Sequence, residues 1–227
     1  VCSSDLSLAI YYDPICPQSK RGNAVQILKN LWDSPSSQTA LLAQDEALSY
    51  ELLGQRVMAQ ALVLKELDAA ENFAILATPS IDFFVALLAI WKCGKMAIPL
   101  HPEHPIHELD YIVKDSRVTH ILYNSSCANS ARSLKELDPH LNIEAISSSL
   151  VPFSRQTEIV PAQSGALMIY TSGTTGRPKG VVHTHASLAA TLSTLEEAWG
   201  WRANDRLLHV LPPNGTGRDW FSVDVQM

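Results

Sequence analysis

Short, strongly apolar runs alternate along the chain with longer stretches in which apolar residues return every three or four positions. An uninterrupted apolar run is typical of a strand that is buried on both faces of a sheet. A period of three to four is typical of a helix with one buried face. The runs predict strands at residues 39–43, 72–78, 96–100, 118–123, 143–146, 166–170 and 206–211.

Four helices are predicted from the periodic stretches and from the residues that begin or end helices. Ser49 and Ser80 precede two of them as N-caps, and Pro105 opens a third. Gly94 and Gly200 stand where the second and fourth helices should end. The side chains expected to face the core are Leu53, Val57, Ala61 and Leu64 in the first helix, Phe84, Leu87, Leu88 and Trp91 in the second, Ile106, Leu109 and Val113 in the third, and Leu188, Leu192, Leu195 and Trp199 in the fourth.

The order of these elements indicates the fold class. Strand, helix and strand follow one another repeatedly, and the strands are short and apolar throughout. Such a succession predicts a parallel sheet flanked by helices, because a parallel connection needs a crossover that covers one face of the sheet. The chain is therefore predicted to be an α/β protein built from parallel-sheet subdomains.

Composition narrows the class of protein further. Of the 227 residues, 46% are apolar and 18% are charged, which supports a packed core and argues against disorder. The net charge of −6 gives no sign of a nucleic-acid partner or an anionic membrane. The four cysteines have no metal-like spacing and suit a reducing compartment. The most apolar stretch, residues 81–91, is too short for a transmembrane segment.

The chain divides by composition into five segments. Residues 1–38, rich in proline and serine, are predicted to be an irregular leader, with the remnant of a targeting segment as the alternative. Residues 39–146 form a first α/β subdomain, and residues 147–165 form a surface connection. A strand–loop–helix–strand unit covers residues 166–212, and the remaining residues, 213–227, show neither helical nor strand periodicity.

Residues 170–180 differ from the rest of the chain in their chemistry. Three glycines, four Ser or Thr hydroxyls, an arginine, a proline and a lysine follow directly on the apolar run that ends at Tyr170. Glycine lets the backbone approach a ligand closely, and the segment offers many hydrogen-bond donors and two cations. That inventory suits a polyphosphate better than any other common ligand. The spacing fits neither a Walker A loop, whose second glycine would fall on Pro178, nor the Gly-x-Gly-x-x-Gly fingerprint of dinucleotide-binding proteins.

The string from Tyr170 to Gly180 resembles the signature loop of the adenylate-forming enzymes, which include acyl-CoA synthetases, luciferases and the adenylation domains of peptide synthetases. The segments 181–185 and 208–212 resemble the same family, and the combination is most similar to its malonyl-CoA synthetase branch. The resemblance implies that this loop holds the β- and γ-phosphates of ATP. The residues implied to bind ATP are Thr171, Ser172, Gly173, Thr174, Thr175, Gly176, Arg177, Pro178, Lys179 and Gly180.

The same resemblance implies a reaction in two steps. A substrate carboxylate attacks the α-phosphate of ATP and pyrophosphate leaves; the thiol of coenzyme A then displaces AMP from the acyl-adenylate. Mg²⁺ is expected with the ATP, CoA is the co-substrate, and the acid is malonate or a fatty or short-chain acid. Substrate choice in the family depends mostly on residues beyond position 212, so malonate rests on the resemblance alone.

The resemblance covers residues 40–212, and full members of the family are much longer. The family's main catalytic residues are expected beyond the end of this chain, so no catalytic residue is assigned. After Pro212 the tail lacks the histidine that the family places there. We therefore expect a truncated product, from alternative splicing or an incomplete gene model, that is inactive alone.

Two other functions stay open on the sequence. A non-catalytic fragment could bind nucleotide or regulate a full-length homologue, pairing with it through the sheet edge that truncation leaves open. An unrelated P-loop NTPase would hydrolyse ATP without a carboxylate. The cytoplasm and the mitochondrial matrix are both compatible with reduced cysteines.

Histidines suggest two further sites. His101, His104 and His107 stand three apart and could ligate a metal, but the prolines between them favour a turn into a helix, and no metal is predicted. His183 and His185 flank the start of the fourth helix, where a packing role and contact with a ligand are equally compatible with the sequence.

Overall fold

In this computed structural model, residues 8–11, 36–43, 46–67, 70–152, 160–171, 177–201 and 205–209 are described, and they contain two β-sheets with helices packed on them. In chain order the elements are β1 (Leu8–Tyr11), β2 (Thr39–Ala43), β3 (Glu46–Ser49), α1 (Tyr50–Glu66), β4 (Asn72–Leu76), α2 (Ile81–Lys92), β5 (Met96–Leu100), α3 (Ile106–Asp115), β6 (His120–Tyr123), α4 (Ala128–Leu137), β7 (Asn142–Ala145), β8 (Gly165–Thr171), β9 (Lys179–Thr184), α5 (His185–Trp199) and β10 (Arg206–His209). A single turn of 3₁₀ helix, Ser125–Cys127, precedes α4.

The larger sheet has six strands in the order β7-β6-β4-β5-β8-β9. All neighbouring pairs are parallel except β8 and β9, which are antiparallel. The predicted parallel sheet with flanking helices is thus confirmed. The predicted first subdomain, residues 39–146, and the predicted phosphate-loop unit, residues 166–212, both contribute strands to this one sheet.

Alternate residues of the central strand β4 face two different cores. Phe73 and Ile75 pack among α1 and α2 on one face, whereas Ala74 and Leu76 pack among α3 and α4 on the other. This follows from the period of two along a strand, which sends successive side chains to opposite faces. Both faces of the sheet are therefore buried at its centre, which explains why β4, β5 and β6 are mostly apolar in sequence.

The smaller sheet is antiparallel, with four strands in the order β10-β1-β2-β3. Of these, β2 and β10 coincide with predicted strands, whereas β1 and β3 were not predicted. The strand β1 lies within the segment predicted to be an irregular leader and pairs with both β2 and β10. The short apolar run of β1 lies in a segment otherwise rich in proline and serine, and β3 has no apolar run longer than two residues, so neither was recognised from sequence.

Helix α1 begins as predicted. The Ser49 hydroxyl accepts a hydrogen bond from the Leu52 amide at 3.2 Å, and the four predicted core residues are all buried. Ser80 precedes α2 but does not cap it with its side chain, since its hydroxyl donates to the Thr78 carbonyl at 2.9 Å. Gly94 follows α2 with a left-handed φ of 70°, as a helix-ending glycine should.

Three predicted buried faces need correction. Helix α2 is buried on nearly all sides, so Phe83, Val85 and Ile90 are core residues, while Phe84, Leu88 and Trp91 are only partly buried. In α3 Leu109 and Val113 are buried as predicted, but Ile106 is 37% exposed. In α5 the buried side chains are His185 and Ala189. The predicted face is covered only in part, since Leu188 packs against the core whereas Leu192 and Trp199 are each 36% exposed. Helix α4 was not predicted, because only Ala131 and Leu134 of its ten residues are buried.

Among the residues that the structure describes, no helix combines the length and the apolar character needed to cross a membrane.

Candidate functional site

The glycine- and threonine-rich loop connects β8 to β9. Tyr170 pairs with Gly180 and Thr171 pairs with Lys179, so the two ends of the loop lie side by side across an antiparallel ladder. The sequence predicted a strand, the loop and then a helix; this is wrong, because strand β9 follows the loop and α5 begins only at His185. Strand β9 was not predicted because it begins with Lys179 and Gly180, which are exposed and lack the apolar character of a buried strand.

The loop lies at the carboxyl end of β8, which runs parallel to β5. Ligands of open α/β sheets bind at this edge, beyond the carboxyl ends of the strands. Of the ten predicted ATP-binding residues the structure describes Thr171, Arg177, Pro178, Lys179 and Gly180. The other five, Ser172 to Gly176, lie outside the described residues.

The two cationic residues of the loop are open to solvent. Arg177 and Lys179 are both exposed, and Pro178 between them is partly buried. An exposed ammonium and an exposed guanidinium beside a glycine-rich turn can form charge-assisted hydrogen bonds to phosphate oxygens. The described part of the loop is therefore chemically suited to an oxyanion.

Helix α3 supports the loop from one side. The Tyr111 hydroxyl donates a hydrogen bond to the Pro178 carbonyl at 3.2 Å, and the Arg177 guanidinium lies 5.9 Å from the centre of the Tyr111 ring. The Tyr170 hydroxyl donates to the Asp115 carboxylate at 2.6 Å. Burial, together with the bond to Asp115, raises the pKa of Tyr170, so this hydroxyl stays protonated as a donor.

Tyr111 and Asp115 were missed by the sequence analysis. They stand on an ordinary amphipathic helix, 67 residues before Pro178 and 55 residues before Tyr170 respectively. No local pattern distinguishes them from other polar residues of that helix, and only the packing of α3 against the β8–β9 hairpin brings them to the loop.

Gly180 lets Tyr170 approach β9 closely. A Cβ atom at this position would lie 2.8 Å from the Met168 sulfur and 3.1 Å from Cζ of Tyr170. The thioether can move aside, but the Tyr170 ring is held by its bond to Asp115.

We expect Gly180→Ala to destabilise the protein by about 1–3 kcal/mol, the usual cost of overpacking. Urea unfolding monitored by circular dichroism would measure the change. Gly200→Ala is not a neutral comparison, since Gly200 has a left-handed φ of 63°, so Ser193→Ala, on the exposed surface of α5, serves as the control. An unchanged unfolding midpoint for Gly180→Ala would contradict the close approach of Tyr170 to β9.

His185 packs in the interior and does not face solvent. Its ring meets the Trp91 ring edge to face with centroids 6.1 Å apart, and its Nε2 atom is buried with no hydrogen-bond partner among the described residues. The start of α5 is capped instead by Thr184, whose hydroxyl accepts from the Ser187 amide at 3.1 Å. Of the two roles that the sequence left open for His185, the structure supports packing.

Burial lowers the pKa of His185 below its ordinary value of about 6.5, because the charged ring is poorly solvated there. The unfolded chain then takes up the proton more readily than the folded one. The contribution of His185 to the free energy of unfolding should therefore fall as the pH drops below about 6.5 towards the folded-state pKa, and stay constant above that range.

We expect His185→Gln to flatten this part of the pH profile, as measured by urea unfolding between about pH 7.5 and about pH 5. Ser193→Ala, which alters an exposed side chain that does not titrate in this range, should leave the slope unchanged. Equal slopes for the wild type and His185→Gln would contradict the burial of a neutral ring.

The three histidines at the turn after β5, which the sequence analysis considered as metal ligands, do not converge on one point. The rings of His101 and His104 stack with centroids 4.9 Å apart, whereas His107 is exposed. The Glu103 amide donates to Nδ1 of His101 at 3.3 Å, which occupies that nitrogen within the turn. Within the described part of the chain, no group of three or more potential ligands is placed to hold a metal ion.

Comparison with known proteins gives consistent matches. The family model described as AMP-binding enzyme matches residues 30–214. The mitochondrial malonate–CoA ligase ACSF3 of Xenopus laevis is 33% identical over 195 residues, which are 78% of this chain and 33% of the relative. A CoA ligase of Gibberella moniliformis is 30% identical over 202 residues, 84% of this chain and 32% of the relative.

The solved structure of a malonyl-CoA ligase in a ternary product complex with methylmalonyl-CoA and AMP is also similar. It shares 29% sequence identity and a TM-score of 0.58 with this chain, over 75% of this chain and 34% of that protein. The chain thus spans about a third of the length of the curated relatives that it matches.

Proposed function

The chain belongs to the AMP-binding enzyme family, and from this premise we propose that the whole protein is an AMP-forming acid–CoA ligase in which the β8–β9 loop holds the phosphates of ATP. The observation that carries the proposal is the place of the loop. Two exposed cations, Arg177 and Lys179, stand at the end of the glycine-rich segment that follows β8, at the carboxyl edge of a parallel sheet and within the residues that match the family.

In the first proposed step a carboxylate oxygen of the acid forms a bond to the α-phosphorus of ATP. The bond from that phosphorus to the bridging oxygen breaks, and pyrophosphate carries the electron pair away. Residues 171–180 contribute donors and positive charge to the β- and γ-phosphates, which stabilises the leaving pyrophosphate. Holding the nucleotide in line with the acid lowers the entropic part of the barrier.

In the second proposed step the sulfur of CoA attacks the acyl carbon of the acyl-adenylate. The thiol proton is lost, the carbon–oxygen bond to AMP breaks, and a thioester and AMP are released. The residues that perform this step are not assigned within this chain.

Mg²⁺ is proposed as the companion of ATP. Residues 171–180 contain no carboxylate, so their donors suit phosphate oxygens rather than the metal itself. Such an ion is typically held by the phosphates, by water and by one or two carboxylates. In this protein those carboxylates would come from outside the loop.

Malonate is the acid that we propose, because relatives and a similar solved structure are named for malonate or malonyl-CoA. The test is ATP–pyrophosphate exchange by the purified whole protein with malonate, acetate, benzoate or octanoate. Exchange that requires malonate supports the proposal. Exchange with another acid would support the ligase activity but contradict malonate as the substrate. Release of ADP and phosphate without any acid would mean that the protein hydrolyses ATP, and it would overturn the proposed ligase activity.

The residues of this chain alone are proposed to give no measurable thioester formation, since they span only a third of the relatives' length. A purified 227-residue chain that forms malonyl-CoA from ATP, malonate and CoA would overturn this part of the proposal.

The mitochondrial matrix is the proposed compartment, because the Xenopus relative is named as mitochondrial. Cell fractionation with a matrix marker and a cytoplasmic marker decides between the two candidates.

A second candidate function is association with a full-length homologue. It is favoured by β9, the edge strand of the six-stranded sheet, where Val181 is 44% and Val182 is 49% exposed. Successive residues of a strand point to opposite faces, so neither face of β9 is fully covered. An open edge of this kind can pair with another chain. Co-purification that is lost in Val182→Lys supports association, and self-aggregation without a complex with the homologue contradicts it.

A further inference from the structure

Tyr111 makes two different contacts with the end of the phosphate loop. Its hydroxyl donates to the Pro178 carbonyl at 3.2 Å, and its ring face lies 5.9 Å from the Arg177 guanidinium. The next residue, Lys179, begins β9 and pairs with Thr171. One side chain of α3 therefore contacts the two residues that lead into the second strand.

The hydrogen bond restricts the backbone beside Lys179. Proline has no N–H group, so the carbonyl is the only backbone group through which Pro178 can be tied. Fixing this carbonyl limits rotation of the peptide unit that leads into Lys179. A second bond from α3, between Tyr170 and Asp115 at 2.6 Å, holds the opposite strand at the residue before Thr171. Both arms of the loop are thus tied to one helix.

The ring contact restricts Arg177 only weakly. The guanidinium is exposed, and a cation over a ring at an exposed site is held less strongly than a cation that hydrogen-bonds to phosphate. Arg177 can therefore leave the Tyr111 ring when a polyphosphate offers its oxygens, while the bond to the Pro178 carbonyl stays in place.

We propose that Tyr111 is a positioning residue for the nucleotide: it fixes the backbone at Pro178, which sets the direction of Lys179, and it holds Arg177 over its ring beside the loop until the phosphates bind. The proposal rests on the proposed role of the loop in holding ATP. Tyr111 itself touches no phosphate in this arrangement and acts through residues 177–179.

The test compares three variants of the whole protein. Tyr111→Phe removes the hydroxyl and keeps the ring, Tyr111→Leu removes both contacts, and Tyr123→Phe removes a hydroxyl from a partly buried ring that packs against the same core. We expect Tyr111→Phe to raise the KM for ATP roughly threefold to tenfold, the range of a lost neutral hydrogen bond. Tyr111→Leu should raise it further, and the KM for the acid should stay unchanged in both.

Amide hydrogen exchange gives the second readout. In Tyr111→Phe the amides of Lys179 and Gly180 should exchange faster, while those in the middle of β8 keep their wild-type rates. Tyr123→Phe should change neither the exchange rates at residues 179–180 nor the KM for ATP.

The two readouts separate the outcomes. An unchanged KM for ATP in Tyr111→Phe overturns the proposal, and so does a rise in both KM values with faster exchange throughout α3 and β8, since that pattern means a structural role alone. If the wild-type protein neither binds ATP nor catalyses exchange of pyrophosphate, the proposed function fails. The amide rates at residues 179–180 then still decide whether Tyr111 orders this segment.

Discussion

Lys179→Ala in the whole protein should weaken the apparent affinity for ATP by about tenfold to a hundredfold, since a charge-assisted hydrogen bond contributes about 1.5–3 kcal/mol. Lys179 is exposed at the first position of β9, opposite Thr171, so its backbone is held by the strand ladder while its ammonium is free to meet a phosphate. Loss of the side chain should leave the fold intact, because Lys179 is exposed. The KM for ATP in the pyrophosphate exchange reaction measures the effect.

The control for this experiment is Lys135→Ala. Lys135 binds the Leu141 carbonyl at 2.8 Å just before β7, which lies at the opposite edge of the sheet from β9. Its removal should leave the KM for ATP unchanged. Thr174→Ala, at a loop position outside the described residues, is expected to behave like Lys179→Ala. Wild-type KM values for ATP in both loop variants would show that the loop is not part of the nucleotide site.

Leu167→Ala should lower the free energy of unfolding by about 2–5 kcal/mol, the range for removing a buried leucine side chain. Leu167 is 2% exposed in β8, pairs with Ala97 of β5 and belongs to the core under α1 and α2. The cavity would lie beside β8, the strand that leads into the loop. We therefore expect the affinity for ATP to fall together with the free energy of unfolding. Urea unfolding of the purified protein gives the free energy.

Leu192→Ala is the matched comparison for Leu167→Ala. The chemical change is identical, but Leu192 is 36% exposed on α5, so we expect a loss below about 1 kcal/mol. Similar losses in the two variants would mean that β8 is not packed as described.

The parallel strands were predictable because a strand that is buried on both faces is apolar at nearly every position, which can be recognised in the local sequence. Strands β4, β5 and β6 are unbroken apolar runs, and their predicted ranges differ from the observed ones by only a few terminal residues. The faces of α2 were not predictable in the same way. A helix that is buried nearly all round has no single apolar stripe, so the choice of Phe84 and Trp91 over Phe83 and Ile90 had no basis in periodicity.

The candidate site was predictable only in its local part. The loop residues are contiguous in the sequence, so their composition indicates a phosphate ligand without knowledge of the tertiary structure. The strand after the loop was missed because Lys179 and Gly180 lack the apolar character of a buried strand. Tyr111 and Asp115 were missed because their importance arises from the docking of one helix on a distant hairpin, and no spacing rule in the sequence encodes such docking.

The pairing of β8 with β5 has a consequence for biosynthesis. The loop can be tied down only where Tyr111, Asp115 and β5 are already in place, and each of these leaves the ribosome well before residues 165–184. Contacts that close such long stretches of chain form late and slowly. The nucleotide binding that we propose for the loop should therefore become possible during translation only after the first part of the sheet has assembled, and it would report late on correct folding.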